Sequence, residues 1–244
     1  MSGHSKWSKI QHKKGRTDKA RSNLFTKLCK GITVAAQQGG ADSDINFSLR
    51  LAVAKAKEGN VPKDNIERAV KRGAGELKGD AILEETLYEG FGPGGVAFLV
   101  ECVTDNKNRT VSEVKNAFNK GGGSMGGPGS VQWQFEHLGV VRFGKLQDIK
   151  NKIKFDEFEL SLIDAGVEDV VESEYGVEIR CAREFFVSVL GVVESFGLEP
   201  EDSGLEWVAK EDVDVSEEIS EKINNLYESL DELDDVKSVY TNDK

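Results

Sequence analysis

The apolar side chains change their period once along this chain, near residue 80, and that change does most to limit what it can fold into. Before it they recur every three or four residues: Leu24, Leu28, Ile32 and Ala35, with Phe25 beside them; then Phe47, Leu51 and Ala54; then Ile66, Ala69 and Val70. Such spacing lines one face of a helix. Gly39-Gly40, Gly59 and Gly73 end the three segments, and Pro62 opens the third; glycine favours helix ends and proline suits a first turn. Helices this short are marginal alone in water. The spacing therefore predicts helices over about 17–38, 44–58 and 62–73, packed on one another.

Beyond residue 80 alternation takes over. Residues 86–90, and then Val96, Phe98, Val100 and Cys102, predict two strands joined by the turn Gly92-Pro93-Gly94-Gly95. A helix is expected from Thr110, with Thr110 and Glu113 as its capping box and Val111, Val114 and Phe118 as its stripe. The loop 121–129 holds six glycines, and Val131, Trp133 and Phe135 alternate as a strand after it. From Gly139 the expected order is strand 140–143, helix 156–165, strand 169–172, strand 177–181, helix 184–196 and strand 205–209. That βαββαβ order is the ferredoxin-like split βαβ. A last helix (216–233) and strand (236–240) lack a sheet of their own, while residues 81–137 lack a second helix. Joining them predicts an α+β multidomain protein: a basic flexible arm (1–16), a three-helix domain (17–75), a discontinuous α+β domain (81–137 plus 210–244) and an inserted ferredoxin-like domain (138–209). The alternative is that the C-terminal helix extends the inserted domain.

The net charge of −11 conceals two opposite halves. Residues 1–80 carry 17 basic and 8 acidic side chains, a surplus of nine cations; residues 81–244 carry 15 and 35, a surplus of twenty anions. The first 30 residues alone hold Lys6, Lys9, Lys13, Lys14, Arg16, Lys19, Arg21, Lys27 and Lys30 against one acid, Asp18. Arg68 and Arg72 extend the basic character into the third helix. A solvated tail is one reading of such a run. Phosphate binding is the other, and the interleaving of His4, Trp7 and His12 among the lysines favours it, because aromatic rings stack on unpaired bases.

Other chemistry finds little support. Gly90, Gly92 and Gly95 spell GxGxxG, but a strand rather than a helix follows, so a hairpin turn is expected. The loop 121–129 lacks the lysine and hydroxyl of a P-loop. Cys29, Cys102 and Cys181 are far apart, and His4, His12 and His137 have no metal-ligand spacing. The chain is therefore expected to be no enzyme, with no catalytic or metal site, no cofactor and no small-molecule substrate. With no long apolar run and no apolar leader, no membrane association is expected, and a reducing cytoplasm is. The polar turn 104–110 hands a strand to a helix start; Asn106 and Arg109 are candidates for a second anion-binding surface, with simple helix capping as the alternative.

Several segments resemble the YebC family. They are Gly3-His4-Ser5-Lys6-Trp7, Asp18 with Arg21, Phe25-Thr26-Lys27, Gly39-Gly40 with Asp42, Val61 to Ala69, Tyr88 to Gly95, and Thr104 to Thr110. The resemblance is specific to about Phe135 and rests on element order after that. It implies an N-terminal helical domain and two α+β domains. It also implies a non-enzymatic DNA-binding transcriptional regulator, or a ribosome-associated translation factor contacting ribosomal RNA, as the related mitochondrial translational activator is described. The partners expected are thus DNA or RNA, with the ribosome among them. A protein–protein adaptor is a third reading, from the acidic body.

Overall fold

The computed structural model describes residues 18–77, 82–173 and 175–244. Three helices come first: α1 (Asp18–Gly39), α2 (Phe47–Glu58) and α3 (Lys63–Gly73). They share one core of Ile32, Ala35, Ala36, Leu49, Ala56, Val61, Ile66 and Ala69; in α2 the buried face is Leu49 and Ala56, with Ala52 and Val53 beside them, rather than the expected Phe47, Leu51 and Ala54, of which Ala54 is exposed. Asn46 joins α1 to α2: its amide donates to the carbonyls of Ala35 and Gly40, and its carbonyl oxygen caps α2 at the Leu49 N–H. At Gly73 a Cβ would lie 2.3 Å from the Thr33 carbonyl, so glycine there lets α3 close onto α1.

The strands β1 (Glu84–Phe91) and β2 (Ala97–Thr104) form an antiparallel hairpin whose turn is a short 3-10 segment, Pro93–Gly95. Helix α4 (Lys107–Lys120) follows, then a two-residue strand β3 (Ser124–Met125) inside the glycine-rich loop, paired to Gly90 and Phe91.

Nine further strands and α-helices follow among the described residues. They are β4 (Phe135–Phe143), α5 (Leu146–Lys150), α6 (Phe155–Asp164), β5 (Val167–Ser173), β6 (Gly176–Ala182), α7 (Phe186–Ser195), β7 (Asp202–Ala209), α8 (Glu217–Asp231) and β8 (Val236–Thr241). The last two return to the first sheet, whose order is β3-β1-β2-β8. Phe98, Val100 and Cys102 of β2 pack with Val114 and Phe118 of α4 and with Ile223, Leu226 and Leu230 of α8. The opposite face of β2 meets α1, where Val34, Leu83 and Val103 are buried together. The compact unit that results takes the described residues up to Val131 and Val215–Val239. It thus joins the three helices to the first sheet and ends short of the expected boundary at 137.

The other unit takes Gln132–Asp214 and Tyr240–Lys244. Its sheet order, β5-β6-β4-β7, is that of a ferredoxin-like fold, and its neighbouring strands pair antiparallel. The structure corrects the expected strands at its start. Residues 132–134 form a 3-10 turn, and one continuous strand replaces the two expected around Gly139. Gly139 is a close approach rather than a break: a Cβ there would lie 2.6 Å from the Phe186 ring. Helix α5 was not legible as a period, being five residues long. Arg142, 1% exposed, forks onto both carboxylate oxygens of Glu206 at 3.0 and 2.8 Å, and reaches Glu178 at 2.8 Å and Asp202 at 3.3 Å. Burial alone would lower the guanidinium's proton affinity, but these carboxylates raise it above its ordinary value.

Candidate nucleic-acid interface

The arm residues His4, Lys6, Trp7, Lys9, Lys13, Lys14 and Arg16 lie outside the described residues. Lys19 and Arg21 fall in the first turn of α1, and their side chains lie outside the description. The remaining candidates divide into two groups with different surroundings.

One group faces solvent. On α3, Ile66 and Ala69 point into the core, which turns Lys63, Arg68 and Lys71 outward. Arg72 is half-buried beside them. The last turn of α2 adds exposed Lys55 and Lys57. Lys71 and Arg72, like Lys55 and Lys57, also sit at helix C-termini, where cations stabilise the helix dipole. An exposed set of this kind suits contact with a phosphate backbone, which fixes register without reading sequence. Glu67 and Asp64 are interspersed on the same helix, and Lys63 lies 3.6 Å from Glu67. That mixture offers no code for base edges.

The second group faces inward. Lys27 donates to the carbonyl of Asp231 and lies 3.2 Å from its carboxylate. Lys30 donates to Asp235 Oδ1 at 2.6 Å, to the Asp234 carbonyl at 2.8 Å and to the Val103 carbonyl at 3.2 Å. Both lysines are thereby engaged where α1 docks on the α8–β8 corner. Their side chains are only 12% and 18% exposed, which leaves little of either cation to present to a phosphate.

Asn106 and Arg109 belong to the same corner. Asn106 is the N-cap of α4, its side chain accepting from the Arg109 N–H at 3.1 Å. The expected capping box gives way to it. Thr110 lies one turn inside α4 and is buried, its hydroxyl 2.8 Å from Asp235 Oδ2. Arg109 donates to Asp235 Oδ2 from Nε and Nη2, at 3.2 and 2.7 Å, and to Asp105 at 3.0 Å. The hydrogen bond to Asp235 raises the Arg109 guanidinium above its ordinary proton affinity. Thr104 completes the cluster at 3.0 Å from Oδ2. Burial pushes the Asp235 carboxyl up, but hydrogen bonds from Lys30, Arg109 and Thr110 outweigh it and hold the group at about 2. Sequence reasoning missed Asp235 because nothing in the local pattern sets it apart from Asp234.

The glycine-rich loop is held in place from within. Glu89, buried on β1, accepts from the Gly129 N–H at 2.5 Å and the Val131 N–H at 2.7 Å, while its own carbonyl takes the Gly126 N–H. Those three amides are therefore occupied. The loop also starts at the far end of α4 from Arg109, about 20 Å away along a 14-residue helix, so the two cannot close on one small ligand. Burial pushes the thiols of Cys102 and Cys181 up to about 12 and about 11, and that of Cys29 up as well. All three stay protonated near neutrality, which is the reverse of an activated nucleophile.

Among the described residues no helix is long and apolar enough to cross a membrane. Residues 5–76 match the model of the TACO1/YebC protein N-terminal domain, and residues 83–243 that of the TACO1/YebC second and third domain. A relative from Maridesulfovibrio salexigens, named a probable transcriptional regulatory protein, is 47% identical over 99% of this chain and 95% of its own. Relatives bearing the same description in Fusobacterium nucleatum and Geotalea uraniireducens are 43% and 45% identical, again over 99% of this chain and 95% of theirs. The crystal structure of a conserved hypothetical protein from Aquifex aeolicus matches at a TM-score of 0.82 and 38% identity, covering 94% of this chain and 92% of that one. Matched along nearly its whole length in both sequence and fold, this chain belongs to the TACO1/YebC family.

Proposed function

We propose that this protein is a non-enzymatic, nucleic-acid-binding regulator of gene expression, acting as the DNA-binding transcriptional regulator that its relatives' names describe. The observation that carries this reading is the concentration of cations. Residues 1–80 hold a surplus of nine, and Lys55, Lys57, Lys63, Arg68 and Lys71 face solvent on α2 and α3. Such a surface suits phosphate binding. With Lys27 and Lys30 engaged internally, the arm and the first turn of α1 supply seven further cations: Lys6, Lys9, Lys13, Lys14, Arg16, Lys19 and Arg21. A cytoplasmic location, no cofactor and no small-molecule substrate go with this reading.

A second reading is a ribosome-associated translation factor contacting ribosomal RNA through the same residues. Trp7 and the two histidines among the arm's lysines favour it, since stacking is most effective on unpaired bases. Cross-linking in cells, with sequencing of the recovered DNA and RNA together, separates the two. Discrete promoter peaks support the first reading, and dominance of ribosomal RNA the second. In vitro, seven phosphate contacts give a slope of log K on log salt of about −6 on duplex. A slope shallower than about −2 overturns the arm as the main contact.

A further inference from the structure

The ferredoxin-like unit carries an apolar surface that its own core does not use. Helix α6 sends Phe158 and Leu162 inward, yet Leu160 and Ile163, one turn apart on its other side, are 65% and 61% exposed. Phe185, just before α7, is 44% exposed and lies against the turn that ends α6. A Cβ at Gly166 would be 2.6 Å from that ring, and the Gly166 N–H donates to the Ile163 carbonyl, so Phe185 and the end of α6 are contiguous. Val170, also 44% exposed, stands on β5 in register with Ile179. Ile179 is in turn paired with Val141, on the sheet face that carries Gly139 against Phe186. Val170 therefore emerges on the helix-covered face, at the edge of the sheet, since β5 is an outer strand. An exposed apolar group beside an edge strand is a liability in a monomer unless something covers it.

The surroundings specify what covers it. Asp156, Glu157, Glu159, Asp164, Glu168 and Glu184 are all exposed within or next to these elements. Against them stand Lys150, 4.8 Å from the Phe155 ring, Lys152, Arg183 and Lys154, the last already 2.8 Å from Glu157. Carboxylates therefore outnumber cations among the exposed side chains that accompany these apolar ones. That excess repels nucleic acid, and it repels a second copy of the same face. From this complementarity we infer that the α6–β5–α7 surface docks a basic amphipathic segment of a protein partner, whose apolar side chains cover Leu160, Ile163, Val170 and Phe185 and whose lysines or arginines meet those carboxylates. The inference stands independently of the nucleic-acid reading, which concerns other residues.

The test uses the full chain labelled for NMR and three synthetic peptides of equal length. The first has leucines at helical spacing with lysines between them, the second replaces each lysine by glutamate, and the third scrambles the first so that no apolar face forms. Expected are shifts centred on Leu160, Ile163, Val170 and Phe185 with the first peptide, and binding at least tenfold weaker with the other two. Leu160→Ser/Ile163→Ser, changed at exposed positions, should keep its melting temperature and lose at least tenfold in affinity. Equal binding of the scrambled peptide, shifts centred elsewhere, or unchanged binding by the double variant overturns the inference. So does concentration-dependent self-association of the free protein that the double variant abolishes, because a second copy is then the occupant.

Discussion

Lys30 on α1 places its ammonium 2.6 Å from Oδ1 of Asp235, although 205 residues separate the two along the chain. The other oxygen of the same carboxylate receives Arg109 and lies within hydrogen-bond distance of Thr104 and Thr110. One acid thus ties the helical region to the end of β2 and the start of α4, just ahead of β8. Asp235 is 3% exposed, so its partners replace the water it has lost.

Removing that carboxylate leaves two cations facing an uncompensated site. Asp235→Ala is expected to lose about 3–5 kcal/mol of stability, as for other broken buried pairs. Urea unfolding of the variant against the parent measures it.

The same group gives the acid limb of stability a defined shape. The Asp235 carboxyl lies at about 2 against an ordinary 3.8. A carboxylate held low stabilises the fold fully above its unfolded value, and that contribution disappears as pH falls through the folded one. Roughly 2 kcal/mol should therefore be lost between about pH 4 and pH 2. Asp235→Asn, less stable at neutral pH, should show a correspondingly flatter acid limb when unfolding is followed across that range.

Arg109→Ala should destabilise the protein by about 1–2 kcal/mol, since its bonds to a carboxylate are charge-assisted but the side chain is partly exposed. In an Asp235→Ala background most of that loss should vanish. A double-mutant cycle on unfolding free energies reads the coupling. An additive cycle would show that Arg109 acts elsewhere.

Glu89→Ala should free the glycine-rich loop without unfolding the sheet. The Gly129 and Val131 amides lose their acceptor, and a buried donor left without one costs about 1–3 kcal/mol. Hydrogen exchange should accelerate at those two amides while β2 stays protected.

Trp7→Ala removes a ring and no charge. A loss of roughly 1–3 kcal/mol on single strands or looped RNA, with little loss on blunt duplex, marks base stacking. Equal losses on both would instead mark a ring that orients the arm.

Periodicity made most of the fold legible. Leu28, Ile32 and Ala35 gave away α1, and the alternation of Val96, Phe98, Val100 and Cys102 gave away a central strand. The return of α8 and β8 to the first sheet followed from counting which elements lacked a partner. Gly139 misled because a glycine within a strand marks a close approach as often as a stop, and only the packed Phe186 distinguishes them. Thr110 misled because a threonine before a glutamate three residues on fits a capping box, while Asn106 caps better and Thr110 is needed by Asp235. Charge alone could not sort the basic residues. Lys27 and Lys30 read like Lys19 and Arg21 in sequence, and their difference lies in an acidic corner two hundred residues away.

That distance matters while the protein is being made. A chain grows from its N-terminus at roughly 5–20 residues per second, and Asp235 comes 131 residues after Thr104. The three helices, built from local contacts, can fold as soon as they emerge. The flank of β2 that will carry β8 must then wait roughly 7–26 seconds, and the two lysines on α1 roughly 10–40 seconds, for their partners to be synthesised. Through that interval a nascent chain exposes a basic helical module on an unfinished sheet. A premature stop between Thr104 and Asp235 would hold the protein in that state, with α1 resting on β2 through Val34, Leu83 and Val103 but without the carboxylate that fastens its lysines.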